Sequence, residues 1–255
     1  MPGDPVPKSG ADHTKYSINF KVAYMERISF SNQDMSYAVR EELKTLRTNI
    51  QFCGDDKRVI LVTSCLAGEG KSTTTQELAQ TLSEIDKRVL YIDADLRKER
   101  DDKSGLEGSF ECGLTHYLIG QCTSRDCIYS TDVRGLYAVP SGQVPPNPSE
   151  LLANERMQVL INEMKEVFDY VIIDTAPLGM VVDAAVLAPY CDGVILLIES
   201  ATVSYRLAQD VAKQLKNTQC PILGVVLNKV ARGKGSYYGY GKYGRYGAYG
   251  SYGES

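Results

Sequence analysis

Tryptophan is absent from this 255-residue chain, and histidine occurs only twice, at His13 and His116. So small a histidine complement excludes histidine-built metal centres and leaves acid–base chemistry to carboxylates. Seven cysteines are present, odd in number, scattered, and never spaced C-x-x-C. That pattern argues for a reduced cytosolic protein and against a disulfide framework, a zinc site or an iron–sulfur site. Long hydrophobic runs are missing too: the stretch Val194–Ile198 has only the length of a core strand, and the opening MPGDPVPKSGADHTK has no apolar region of the signal-peptide kind. No membrane span is expected, so any membrane location would come through a partner. Nor are cations in surplus, since 28 Lys and Arg face 32 Asp and Glu for a net charge of −4, which speaks against nucleic-acid binding.

What is present divides the chain into three parts. Residues 1–35 read as a mobile leader, 36–230 as one folded domain, and 231–255 as a flexible tail. A helix is expected over 37–51, with Ala38, Leu43, Leu46 and Ile50 at helical spacing. Strands are expected at 58–64, 88–95, 136–142, 169–177, 192–200 and 221–230, and helices at 72–85, 113–120 and 203–215. A long helix should open at Asn147-Pro148, with Asn147 as its N-cap and Pro148 in the first helical position. The strands are near-continuous in Val, Ile and Leu, as in a parallel sheet covered on both faces. Strand–helix alternation of this kind implies an α/β fold with a doubly wound, mostly parallel sheet and helices on both faces, and ligands then bind beyond the carboxyl ends of the strands.

The first of those ends reads Ser64-Cys65-Leu66-Ala67-Gly68-Glu69-Gly70-Lys71-Ser72-Thr73. Gly70-Lys71-Ser72 is the core of a P-loop: backbone N–H groups from Gly68 through Glu69 and Gly70 to Lys71, with the helix start at Ser72 and Thr73, would wrap phosphates. The Lys71 ammonium would counter their charge, and the Ser72 hydroxyl would ligate Mg²⁺. Cys65 stands where the full motif has glycine. Asp93 and Asp95 close the second strand, and Asp174 closes the apolar run VIID. Phosphoryl transfer needs metal-bound carboxylates and a group that accepts the proton of the attacking oxygen. Asp93 is the first candidate for that acceptor and Asp95 the second, while Asp174 suits the metal shell. Asn228, at the end of the last strand, is either an adenine contact or a cap of the strand end.

The tail supplies a substrate for such a site. Residues 237–255 read YYGYGKYGRYGAYGSYGES and carry seven of the seventeen tyrosines: Tyr237, Tyr238, Tyr240, Tyr243, Tyr246, Tyr249 and Tyr252. Glycine maximises the entropy to be overcome and no aliphatic residues offer a core, so the segment cannot fold alone. It offers phenolic hydroxyls, which are phosphoryl acceptors, or else an adhesive low-complexity element.

The GEGKST loop, LYIDADLR (90–97), VIIDTAP, PPNPSELL (145–152) and the tyrosine cluster, in that order, resemble the bacterial tyrosine kinases of capsule and exopolysaccharide synthesis, specifically the stand-alone cytoplasmic kinase, over nearly everything from about Ser36 onward. The resemblance implies a P-loop fold, ATP and Mg²⁺ as cofactors, and autophosphorylation of tail tyrosines, with one subunit's tail entering a neighbour's site in a ring-like homo-oligomer. It assigns catalytic and Mg·ATP roles to Lys71, Ser72, Asp93, Asp95 and Asp174, with Asp95 in the metal shell beside Ser72 and Asp174. It makes Glu41, Lys44 and Arg47 the counterpart of the family's E-x-x-R-x-x-R oligomerisation helix, with lysine replacing the first arginine and losing its bidentate geometry. It also implies a transmembrane adaptor of the polysaccharide co-polymerase type that recruits the kinase to the inner face of the membrane, and a cognate phosphotyrosine phosphatase. Two further departures are Ala176, where a second proline is usual, and Glu99, where proline is common.

Two rival readings exist. A partitioning or cell-division-site ATPase would be a regulatory hydrolase without a protein substrate, but such proteins carry a signature lysine five residues before the invariant one, and that position is Leu66. Alternatively the tail would bind RNA or itself, attached to a degenerate nucleotide sensor, and its action would not depend on Lys71.

Overall fold

The computed structural model describes residues 27–30, 35–98 and 105–231. Four hydrophobic strands form the centre of the sheet: β2 (Val59–Ser64), β3 (Val89–Asp93), β7 (Tyr170–Asp174) and β8 (Gly193–Glu199). They run parallel, and β7 lies between β3 and β2. β9 (Ile222–Asn228) adds a parallel strand beyond β8 and forms one edge. On the other side of β3 come β6 (Leu136–Val139), then β5 (Tyr129–Thr131), β1 (Arg27–Phe30) and β4 (Leu106–Glu107), with antiparallel pairs at β5–β6 and β1–β4.

Because strand side chains alternate, one run of Val, Ile and Leu fills two cores. Ile60 and Val62 of β2, with Tyr91 and Ile172, meet α1 (Tyr37–Phe52) and α2 (Lys71–Ser83) through Ile50, Leu78, Ala79 and Leu82. Val59 and Leu61, with Ile92 and Ile173, face the opposite way onto α5 (Glu155–Val167), α6 (Asp183–Leu187) and α7 (Tyr205–Asn217). α3 (Leu114–Leu118) and α4 (Pro148–Leu152) join that second side. The doubly wound, mostly parallel α/β arrangement is therefore the one expected.

Three differences have local causes. The expected leader is shorter than residues 1–35, because Arg27–Phe30 forms β1: Ile28 and Phe30 are buried, and Phe30 meets Tyr91 edge-on at 5.7 Å. The remaining leader residues lie outside the description, apart from Met35. The long helix from Asn147 is two helices. Pro148 does open α4, but the Asn147 amide donates to Glu150 Oε2 at 2.7 Å and its side chain caps no backbone N–H. α4 ends at Leu152, and Asn154 then starts α5 as its own N-cap, accepting from Arg156 N at 2.9 Å. Finally, β3 stops at Asp93, so Asp95 sits in the turn that leaves the strand and not on its continuation.

Candidate active site

The P-loop joins β2 to α2 at the carboxyl edge of the sheet. Gly68 (φ 81°) and Gly70 (φ 87°) adopt left-handed backbone that other residues seldom take. A Cβ on Gly68 would meet nothing within 4 Å, so its backbone is open to a ligand, whereas one on Gly70 would lie 2.4 Å from Asn228 Nδ2. Gly70 caps α2 without any side-chain hydrogen bond. The first N–H donors of that helix are thus left for an anion, which the helix dipole also favours. Cys65 is tolerated in place of glycine because its side chain joins the core under α5–α7. Burial, with Glu69 nearby, pushes its thiol up to about 11, so it packs and does not react. Its carbonyl comes so close to Gly179 that a Cβ there would sit 2.1 Å away.

The loop is held from outside. The Glu69 carboxylate is buried, accepting from the N–H of Leu66 and, at 2.7 Å, from that of Glu199. Of the motif residues expected to bind nucleotide, Glu69 can therefore offer only its backbone. Asn228 Nδ2 donates to Glu69 O at 2.8 Å, so this side chain braces the loop from the end of β9. Next to it, Lys229 Nζ donates to Gly68 O at 2.7 Å and to Glu199 Oε2 at 3.0 Å. Lys229 and Glu199 were not legible as site residues, because nothing local marks them; their partner in the loop lies 161 residues from Lys229.

The acidic side of the site follows from register. Asp93 and Asp174 are paired residues on adjacent parallel strands, and alternation turns both toward the α2 face. Lys71, at the start of α2, is buried and meets Asp174 Oδ1 at 2.6 Å, while Ser72 Oγ is 3.4 Å from its ammonium. Tyr91, fully buried, donates to Asp174 Oδ2 at 3.3 Å and orients the carboxylate from the strand beside it. Burial first, then the charges of Asp174 and Asp95, push the Asp93 carboxyl up to about 7 against the pull of Lys71. Asp95 is also raised, chiefly by burial, and its N–H donates to Asp93 Oδ1 at 3.2 Å. Lys71, Ser72, Asp93, Asp95 and Asp174 are thus brought to one place.

Among the described residues, no three His, Cys, Asp or Glu side chains converge closely enough to hold a metal ion alone. At a nucleotide, Mg²⁺ is shared by one or two carboxylates, a hydroxyl, waters and phosphates. Ser72, Asp174 and Asp95 fit such a shell.

Known proteins resemble this chain in sequence and in fold. The family described as AAA domain matches residues 57–222. A protein named tyrosine-protein kinase CpsD from Streptococcus agalactiae is 39% identical over 224 residues, covering 85% of this chain and 96% of that one. The chain belongs to the bacterial tyrosine kinases. Among solved structures, the kinase domain of Escherichia coli tyrosine kinase ETK superposes with a TM-score of 0.72 at 28% identity, over 82% of this kinase and 86% of that chain. The septum site-determining protein MinD complexed with Mg-ADP from Pyrococcus horikoshii OT3 gives 0.57 at 25%, over 69% and 72%. The kinase is therefore a protein-tyrosine kinase built on a P-loop NTPase fold.

Other expected site residues of the kinase fall as follows. Glu41 and Lys44 pair with each other on α1 at 2.8 Å, each about half exposed. Arg47 turns inward instead, donating from Nη1 to Thr81 O of α2 at 2.8 Å and lying 3.5 Å from Glu84, which caps that helix, with its Nε buried and unpartnered. Ala176 keeps the strand end in place without a second proline, since its carbonyl accepts from Thr63 Oγ1 at 3.1 Å. The seven tail tyrosines and Glu99 lie outside the described residues. No helix among the described residues is long and apolar enough to cross a membrane.

Proposed function

We propose that this kinase transfers the γ-phosphoryl group of Mg·ATP to the tyrosines of its own C-terminal cluster, Tyr237 to Tyr252, in trans within a ring-like oligomer, and thereby regulates capsular and exopolysaccharide synthesis. The observation that carries this reading is the register that sets Asp93 opposite Asp174 while Asp174 holds Lys71. It gathers a base, a metal-shell carboxylate and a phosphate-binding ammonium at the mouth of the P-loop. A phenol has a pKa near 10, so an attacking tyrosine needs a carboxylate to take its proton, and a base that titrates near neutrality suits that task.

In this mechanism Lys71 and the N–H groups of Gly68 to Ser72 would hold the phosphates, and Asp174, no longer paired with Lys71, would hold the metal with Ser72 and Asp95. Mg²⁺ there would neutralise charge on the transferring group. Asp93 takes the phenolic proton as the tyrosine oxygen bonds to the γ-phosphorus; the bond to the bridging β–γ oxygen breaks and ADP leaves. Support for assembly comes from the exposed Glu41–Lys44 pair on α1, although the inward turn of Arg47 leaves fewer charges for a neighbour. By its family, the kinase would sit at the inner face of the membrane with a transmembrane adaptor of the polysaccharide co-polymerase type, and a phosphotyrosine phosphatase would reset it.

Intact-mass analysis before and after Mg·ATP, on adaptor-activated protein, tests the core of the proposal. Wild type should gain phosphate on the tail, and a tail-deleted chain, Lys71→Met and Asp93→Asn should not. ATP hydrolysis without any tyrosine gaining mass would instead favour the regulatory-ATPase alternative.

A further inference from the structure

A second polar cluster on the carboxyl edge joins three segments that are far apart in the chain. The Arg97 guanidinium meets the Asp183 carboxylate at two points, Nε to Oδ2 at 2.7 Å and Nη2 to Oδ1 at 2.9 Å. The Ser149 hydroxyl donates to the same Oδ1 at 2.6 Å and accepts from Arg97 Nη2 at 2.7 Å. Asp183, the first residue of α6, is wholly buried; Arg97 is 36% exposed; Ser149 lies in the first turn of α4. A partly exposed ion pair adds little net stability, but a two-point arginine–carboxylate contact with a bridging hydroxyl fixes orientation closely.

What it orients is the exit turn of β3. Arg97 N donates to Asp95 Oδ1 at 3.4 Å, Lys98 N to Asp95 O at 3.4 Å, and Asp95 N to Asp93 Oδ1 at 3.2 Å. One chain of bonds therefore runs from Asp93 through Asp95 and Arg97 to Asp183 and Ser149. The P-loop is braced by a different set, namely Glu69, Glu199, Asn228 and Lys229, which shares no residue with it.

We propose that Asp183 is a positioning residue for phosphoryl transfer: through Arg97 and Ser149 it latches the β3 exit turn, setting where Asp95 stands relative to Asp93 and Asp174. The latch rests on the assignment of Asp93 and Asp95 to the transfer step. Because it grips the carboxylates and not the P-loop, its loss acts on turnover more than on nucleotide binding, which the loop N–H groups and Lys71 dominate. Arginine is required at 97, since lysine cannot make the two-point contact.

The test uses the full-length, adaptor-activated kinase, with kcat and KM for ATP measured beside a thermal melt. Asp183→Asn keeps the side-chain shape without its charge, and Arg97→Lys keeps the charge without the fork. Each is expected to lower kcat by about 10- to 100-fold, the usual cost of losing an outer-shell partner, with KM for ATP within about twofold of wild type. Ser149→Ala should cause a smaller fall in kcat with an unchanged melt. The double variant Asp183→Asn/Arg97→Lys should be no slower than the slower single one, since both break one unit. Wild-type kcat in folded variants, a rise in KM alone, or losses that multiply in the double variant would overturn the latch. Should Asp183→Asn fail to fold, Arg97→Lys and Ser149→Ala decide by the same readings. Asp93→Asn runs in parallel: if it retains transfer, the assignment of the base fails; if it abolishes transfer while the latch variants keep wild-type kcat, only the latch fails.

Discussion

Replacing Asp93 by asparagine is expected to stabilise this kinase while it ends transfer. Asparagine keeps the oxygen that accepts from Asp95 N and fills nearly the same volume, but it carries no charge. The folded carboxyl is raised from 3.8 to about 7, with burial the largest cause. Folding therefore favours the protonated form: the associated stability is complete below the unfolded value of 3.8 and is lost as pH rises through about 7. At about 1.4 kcal/mol per pK unit the full loss has a ceiling of about 4 kcal/mol, and half of that allows for relaxation of the site. About 2 kcal/mol corresponds to about 4–8 °C in Tm for a chain of this size. Thermal melts of both proteins at pH 5 and pH 8, with EDTA and without nucleotide so that no cation offsets the charge, should show a gap at pH 5 that is under half the gap at pH 8. A gap of equal size at the two pH values, or a wild type that is the more stable protein at pH 8, would refute the strained-carboxylate account of Asp93.

The brace on the P-loop makes a separable prediction. Lys229→Ala removes contacts to Gly68 O and Glu199 and should raise KM for ATP about 3- to 10-fold with kcat unchanged; steady-state kinetics with unaltered KM would sink it. For the strand that the leader contributes, Phe30→Ala should cost about 3–5 kcal/mol in urea unfolding, and a loss under about 1 kcal/mol would mean that β1 is no part of the core.

Where chemistry and position were both local, the sequence was readable. The runs that became β2, β3, β7 and β8 announced themselves because strands buried on both faces are apolar throughout, and their ends then pointed to Lys71, Asp93 and Asp174; β9 was legible from the apolar run 222–227 although it lies at the edge and is half exposed. β1, β4 and β5 escaped notice since two to four residues carry no periodicity, and their stability comes from neighbours distant in the chain. The break between α4 and α5 was hidden for a related reason: Asn154 reads as an interior polar residue until its side chain is seen bonding Arg156 N. Motif reading gave Glu69 a backbone role toward phosphate and was silent on its side chain, which bonds the N–H groups of Leu66 and Glu199. Tyr91, Arg97 and Asp183 are ordinary residues in sequence; only the packing of strands and turns 83 to 86 positions apart gives them partners.

The sheet that alternates its side chains between two cores also separates two kinds of evolutionary freedom. Compartments that meet only through strand backbone respond to substitution nearly independently, so that changes on one side add to those on the other. The helix bearing Glu41 and Lys44 is anchored in the compartment of Ile50 and Leu78, while α4 and α6, which carry Ser149 and Asp183, are rooted in the other. Substitutions beneath α4 and α6 thus reach the site only through the turn after β3, whereas those beneath α1 share a compartment with α2 and with the Lys71 that begins it.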